Sequence, residues 1–312
     1  FGRKYTEFLL TRAISLRLIV TNRLRRELKD LLTYFLIPVP ALLLPWRLGW
    51  PVCWRIAGWS GLFSSQTDRA REQAERYLGA SVDDKWCQRF RAVLLVDLID
   101  FWFSLLCPWR LRCQSCTRGA WPTRGPVVIV GSHWGPGFAV LRSMRRAGIR
   151  PHFILRKTPP QLFRGQRVRQ LYVALRLRHQ KRLFPGKCYH PGGYPRRLLR
   201  ALRSDEHILV LADVPAGPRD DAAVIELFGR RAVISTGMLG LIVRAGASFV
   251  TYAQGLDVAT GYRDLHIAPV RQSASRRELL QVLAGFLQNT LARDPAQWQL
   301  WFAAGQFFDT RP

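Results

Sequence analysis

From Gly125 to the end of the chain, short apolar runs alternate with longer mixed stretches, and this rhythm limits the possible folds more than any other feature. Pro126-Val127-Val128-Ile129-Val130 and His207-Ile208-Leu209-Val210-Leu211-Ala212 read as buried strands. Further strands are predicted at 152–155, 224–228, 248–253 and 262–268, with a short one at 183–184. Helical patterns fall between them, at 138–146, 160–177, 194–203, 236–244 and 275–291. Alternation of this kind predicts an α/β fold, a sheet with helices on its faces. The 312 residues are enough for one main domain with appendages. No internal repeat or low-complexity tract appears.

The first predicted strand runs into Gly131-Ser132-His133-Trp134-Gly135-Pro136-Gly137-Phe138, a loop that opens a helix. In α/β sheets, ligands meet the chain at the carboxyl ends of strands. His133 there is either a general base or a loop histidine bonded to backbone. Three more features sit at predicted strand ends: Arg156 with Lys157, Asp213 through Arg219, and Phe228-Gly229. If the sheet forms as expected, all four converge on one crevice. Arg156 and Lys157 are anion ligands or solvated charges. Asp213 is a site acid or the acid of an Asx turn, and Gly217 and Gly229 are read as backbone turns.

Lys and Arg number 48 against 21 Asp and Glu, a net charge of +27. No acid occurs from Phe101 to Ser204, a window with 22 Lys and Arg, so most of the excess sits on the segment that holds His133. Such a charge calls for an anionic partner: a membrane face, an acidic carrier protein or nucleic acid. No RNA- or DNA-binding motif accompanies it, and nucleic acid is the disfavoured choice. Arg164, Arg167, Arg169, Arg176 and Arg178 spread round one helix, as a solvated face or a carrier-docking face does. The six Cys lack the spacing of a disulfide scaffold, and Cys113-Gln114-Ser115-Cys116 has no second pair at zinc spacing. Reduced thiols and no metal are expected.

Before Gly125 the chain is helical in pattern. Residues 8–33 alternate apolar and basic positions, as an amphipathic helix on a membrane or an ordinary packed arm does. Leu31 to Trp46 is uncharged but carries three prolines, which favours a broken helix or hairpin embedded in one leaflet over a buried cap on the domain. Trp46, Trp50, Trp54, Trp59, Arg47 and Arg55 suit an interfacial belt. The chain opens Phe1-Gly2 without Met, as a trimmed start does, and no signal-peptide cleavage site follows the apolar stretch. Helices are predicted at 67–78 and 86–106, and a linker at 107–125. The expected organisation is a basic, membrane-embedded helical region (1–66), a helical connector (67–124) and the α/β domain (125–312).

In order along the chain stand Val127-Val128-Ile129-Val130-Gly131-Ser132-His133-Trp134-Gly135, Phe153-Ile154-Leu155-Arg156-Lys157, Ala212-Asp213-Val214-Pro215-Ala216-Gly217-Pro218-Arg219, Leu227-Phe228-Gly229 with Ser235-Thr236-Gly237, and Ala245-Gly246-Ala247. Asp294-Pro295-Ala296-Gln297-Trp298-Gln299-Leu300-Trp301 closes the series. Over about residues 30–303, this succession resembles the bacterial lysophospholipid acyltransferase-like family, typified by the lauroyl and myristoyl transferases of lipid A biosynthesis. The resemblance implies a glycerol-phosphate-acyltransferase-like mixed sheet flanked by helices, and a membrane-associated enzyme at the cytoplasmic face of the bacterial inner membrane. It also implies acyl transfer from an acyl carrier protein or coenzyme A thioester to a hydroxyl on a lipid acceptor, with no cofactor. By position it makes His133 the base, Asp213 the orienting or structural acid, and Arg156, Lys157 and Arg219 the ligands of phosphate or oxyanion.

The family pattern places an acid five positions after the histidine, and here that position is Phe138. The next acids along the chain are Asp100 and Asp205. A histidine without its carboxylate loses its tautomer and orientation, and in the serine-protease triad that loss costs about 10⁴ in rate. Two outcomes follow from the sequence: an acid such as Asp213 folds into the crevice, or the chain is a degenerate homologue serving as an accessory subunit of a membrane complex. Trp298 and Trp301, three apart, are read as packing on a helix face.

Overall fold

The computed structural model describes residues 21–79, 82–154, 165–184, 188–189, 194–217, 220–272 and 275–309. Arg156, Lys157, Arg164 and Arg219 lie outside the described residues, as does the amphipathic stretch before residue 21.

Strand β2 (Val127–Gly131) is buried along its whole length. Val127 and Ile129 enter the apolar cluster under one face of the sheet, and Val128 and Val130 the cluster under the other. Leu209 divides from Ile208 and Val210 in the same way on β5 (Ile208–Leu211). That two-residue period with both faces covered is what a central parallel strand requires. Numbered in chain order, the seven-stranded sheet runs from edge to edge as β1 (Ser115–Arg118), β9 (Arg263–Ile267), β8 (Ser248–Leu256), β2, β5, β3 (His152–Ile154) and β4 (Cys188–Tyr189). All neighbours are parallel except β8 and β9. Strands β6 (Ala222–Leu227) and β7 (Arg230–Ser235) form a separate hairpin, turned by Phe228 and Gly229, both at positive φ.

Helices cover both faces. Residues 21–31 form α1, followed by α2 (Val39–Leu43), α3 (Trp46–Gly58), α4 (Ser64–Leu78), α5 (Asp84–Leu106), α6 (Pro108–Cys113), α7 (Phe138–Arg146) and α8 (Arg167–Leu183). Helices α9 (Tyr194–Arg203), α10 (Gly237–Ala245), α11 (Arg276–Arg293) and α12 (Gly305–Phe308) complete the set. Helices α2, α3, α6, α7, α8 and most of α5 pack on one face, and α4, α9, α10, α11 and α12 on the other. Asp83 caps α5 by accepting the Trp86 amide. The helix then carries Asp100 to a fully buried pair with Arg263 of β9. Arg263 also donates to Gln114 Oε1 and the Gly261 carbonyl, and its guanidinium lies 4.6 Å over the Trp46 ring.

Several expectations change. The predicted linker at 107–125 contains α6 and the edge strand β1; Pro108 starts the helix where its missing N–H does no harm. Leu183 ends α8 and is not in a strand. The uncharged stretch 31–46 is broken as its prolines dictate, into a π-turn at Leu32–Leu36 and the short α2. Ile37, Ala41 and Trp46 face the core while Leu36 and Leu43 face outward, so one side of the stretch is a cap on the domain. Trp46 and Trp50, read as interfacial, are buried, because their indoles donate to the Thr260 and Val258 carbonyls. Among the described residues no helix is long and apolar enough to cross a membrane.

Candidate active site

Strands β2 and β5 are parallel neighbours in a register that pairs Gly131 with Leu211. His133 and Asp213 each lie two residues beyond that last pair, so the sheet delivers both to one point at its carboxyl edge. His133 Nδ1 is 3.0 Å from Asp213 Oδ1, and the His133 amide donates to Asp213 Oδ2 at 2.8 Å. The Trp298 indole N–H donates to the same Oδ2 at 2.9 Å. Asp213 is fully buried, and the His133 side chain is 35% exposed, so only the histidine is open to a substrate. With Nδ1–H directed at the carboxylate, the neutral ring presents the Nε2 lone pair, which has no partner among the described residues.

Burial of the imidazole works against its charge. The negative charge of Asp213 and its hydrogen bond outweigh that effect and hold the His133 pKa above the ordinary imidazole value. The Tyr252 ring fills the space beneath Gly131, where a Cβ would come 2.3 Å from Cζ; burial first, and then the Asp213 charge, push its phenol pKa up.

The closing Asp294-to-Trp301 segment clamps the histidine loop. Trp134 and Trp298 form an antiparallel bridge, in which the Gln299 amide donates to the His133 carbonyl at 2.9 Å and the Gly135 amide to the Gln297 carbonyl at 2.9 Å. The Gln299 side chain donates to the Gly135 carbonyl at 2.7 Å, and the Trp134 indole to the Asp294 carbonyl. Gly135 sits at φ +70°, and a Cβ there would lie 2.0 Å from the Gln254 carbonyl oxygen, so both conformation and space demand glycine. Trp298 and Trp301 lie between and in short 3₁₀ turns, not three apart on a helix face. Trp301 is packing, stacked near Phe228. Trp298 is packing with a second task, since its indole donor holds the site carboxylate. The sequence signal for that task is an indole N–H near a buried acid, which becomes visible only once the ends of the chain meet.

Phe138, at the position where the family pattern has an acid, is 1% exposed. It packs against Phe101 and His179, and the Arg176 guanidinium lies 4.7 Å over its ring. Arg176 is therefore not part of a solvated face: it pairs with Asp97 at 2.7 Å. Asp97 Oδ1 in turn accepts the Gly137 amide at 3.0 Å, so a carboxylate from α5 serves the entrance of α7. Of the four convergent features, His133 and Asp213 are in contact, and Phe228 is 6.1 Å from Trp298, ring to ring, behind them. Arg156, Lys157 and Arg219 are outside the described residues. Cys53, Cys87, Cys107, Cys113 and Cys116 are free thiols, the last two exposed.

Residues 159–304 match the family model described as bacterial lipid A biosynthesis acyltransferase. The match bears out the family read from the motifs, and over this segment it supports acyl transfer as the reaction class. Asp213 and Trp298 lie within the matched segment, and His133 precedes it. No curated protein matches the chain.

Proposed function

We propose, from the premise that residues 159–304 are a lipid A acyltransferase-family segment, that this protein moves a fatty acyl group from an acyl carrier protein or coenzyme A thioester to a hydroxyl of a lipid acceptor. The observation that carries this reading is the His133–Asp213 contact with Nε2 left open. Nε2 takes the proton of the acceptor hydroxyl as its oxygen bonds to the thioester carbonyl carbon. The C–S bond then breaks, and the departing thiolate takes the proton back from the imidazolium. Asp213 holds the Nδ1–H tautomer and offsets the imidazolium charge during the transfer. An acid-free window around the histidine suits the phosphates of coenzyme A or the acidic surface of a carrier. Exposed Leu36, Leu43 and Leu48, with exposed Arg47 and Arg55 on the same stretch of chain, and exposed Trp109 on α6 support action at an anionic membrane, for which we propose the cytoplasmic face of a bacterial inner membrane. Thiol release from acyl carrier protein thioesters tests the reading: His133→Ala should abolish turnover, and equal activity in that variant would overturn the assigned base.

Phe138 favours a second reading, a degenerate homologue that serves as an accessory subunit of a membrane complex. Under it the native chain is inert with every thioester, and Phe138→Glu gains turnover.

A further inference from the structure

At the far end of α7 from the histidine loop, an open cavity of about 660 Å³ lies between α6, β1 and α7. Arg112 and Arg146 line it together with Ser115, Thr117, Ser143 and Trp121, and none of these belongs to the His133 site. The two side chains line the same space; partial desolvation lowers the Arg146 pKa, and the positive charge of Arg112 lowers it further. Among the described residues, neither arginine side chain has an acid or hydrogen-bond acceptor as partner, whereas Arg110, Arg142 and Arg145 beside them are all tied to backbone carbonyls. Two cations held near each other without a counter-charge, in a cavity with three hydroxyls, are an incomplete electrostatic arrangement. A phosphate completes it, because two arginine forks and hydroxyl donors can meet its oxygens together.

Two hydrogen bonds tie parts of the wall in place. The Trp121 indole donates to Ser143 Oγ at 2.9 Å, which leaves the Ser143 and Thr117 hydroxyl protons to donate to a ligand, while Ser115 Oγ gives its own proton to the Leu111 carbonyl at 2.7 Å. The carbonyl end of α7 also points here, and its partial negative charge opposes an anion, but half a charge is outweighed by two full positive ones. On α6, Trp109 stands one turn before Arg112 and is 64% exposed, with Leu106 exposed just before the helix. The cavity mouth thus adjoins apolar surface.

We propose that this cavity is a phosphate-binding site separate from the His133 centre, taking a phosphate monoester carried by a lipid headgroup or by a soluble molecule. The inference does not rest on acyl transfer and stands or falls by binding. The whole protein is titrated with glycerol 3-phosphate and, separately, with phosphatidic acid vesicles and phosphatidylcholine vesicles. The variants are Arg112→Gln/Arg146→Gln, and as an equal-charge control Arg196→Gln/Arg197→Gln on exposed α9 positions. The cavity variant should lose affinity by about tenfold or more for glycerol 3-phosphate, for phosphatidic acid, or for both, while the control loses little. Loss confined to phosphatidic acid identifies a lipid source, and loss for glycerol 3-phosphate alone a soluble one. Equal affinities in the native and cavity-variant proteins, or equal losses in the two variants, overturn the site. Both arginines are exposed, so unchanged thermal unfolding is expected; Arg112→Lys/Arg146→Lys, which keeps the charge, should retain part of the affinity.

Discussion

Asp213 Oδ2 accepts two hydrogen bonds, from the His133 amide and the Trp298 indole, while Oδ1 faces the His133 ring. Three donors on one fully buried carboxylate fix its position, and through it the rotamer of the base. In Asp213→Asn the charge is lost, and the His133 amide and Trp298 indole hold the amide oxygen in the place of Oδ2, so the amide NH2 faces Nδ1 and favours the wrong tautomer; kcat should fall by roughly 100-fold or more. The pH profile gives a second readout. The base works unprotonated and its pKa is raised by Asp213, so activity is lost as pH falls through a value above the ordinary imidazole pKa. Asp213→Asn moves that acid limb of kcat/KM to lower pH. The linkage to stability has the opposite sign: the raised pKa stabilises the fold below the unfolded imidazole pKa, and this contribution disappears as pH rises through the folded value. Trp298→Phe keeps the ring but removes the donor. Here kcat should drop about tenfold with KM unchanged, since the indole touches Asp213 and not the substrate.

At the scale of elements, the histidine loop is held by a single β-bridge: the pairing of Trp134 with Trp298 makes the last turns of the chain part of the site. On the other side, α5 and α8 build the entrance of α7, with Asp97, Arg176 and Phe138 in one contact set. Phe138 is thus a packing residue in a place already served by carboxylates, Asp97 for the α7 amide and Asp213 for the imidazole. Phe138→Glu should not raise turnover. It should destabilise the protein by about 3 kcal/mol or more, because a carboxylate replaces a ring that is 1% exposed and Arg176 is already paired. Chemical denaturation measures that loss directly.

At the scale of the whole molecule, the buried Asp100–Arg263 pair joins the long helix α5 to the antiparallel end of the sheet. Removing one partner strands a charge in the core, so Asp100→Ala should lower stability by about 3–5 kcal/mol. Asp100→Leu/Arg263→Met together should recover much of the loss. A double variant no more stable than the single one would show that the pair, and not the space it fills, holds the two regions together.

The sequence by itself determined the α/β class, the strand cores and the place of the histidine, because period-two runs such as Val127 to Val130 and a strand-to-helix junction are local patterns. Its motifs, kept in order, resemble a family whose model matches residues 159–304. It left the partner of His133 open, since Asp213 lies 80 residues away and only the β2–β5 register brings the two together. Local pattern likewise could not show that Trp46 and Trp50 turn inward, because their carbonyl partners come from a turn more than 200 residues later. Nor could it show that Trp298 donates to the site acid or that Arg112 and Arg146 share a cavity. Each of these depends on side chains from distant segments meeting, and tertiary packing alone decides which buried polar groups find one another.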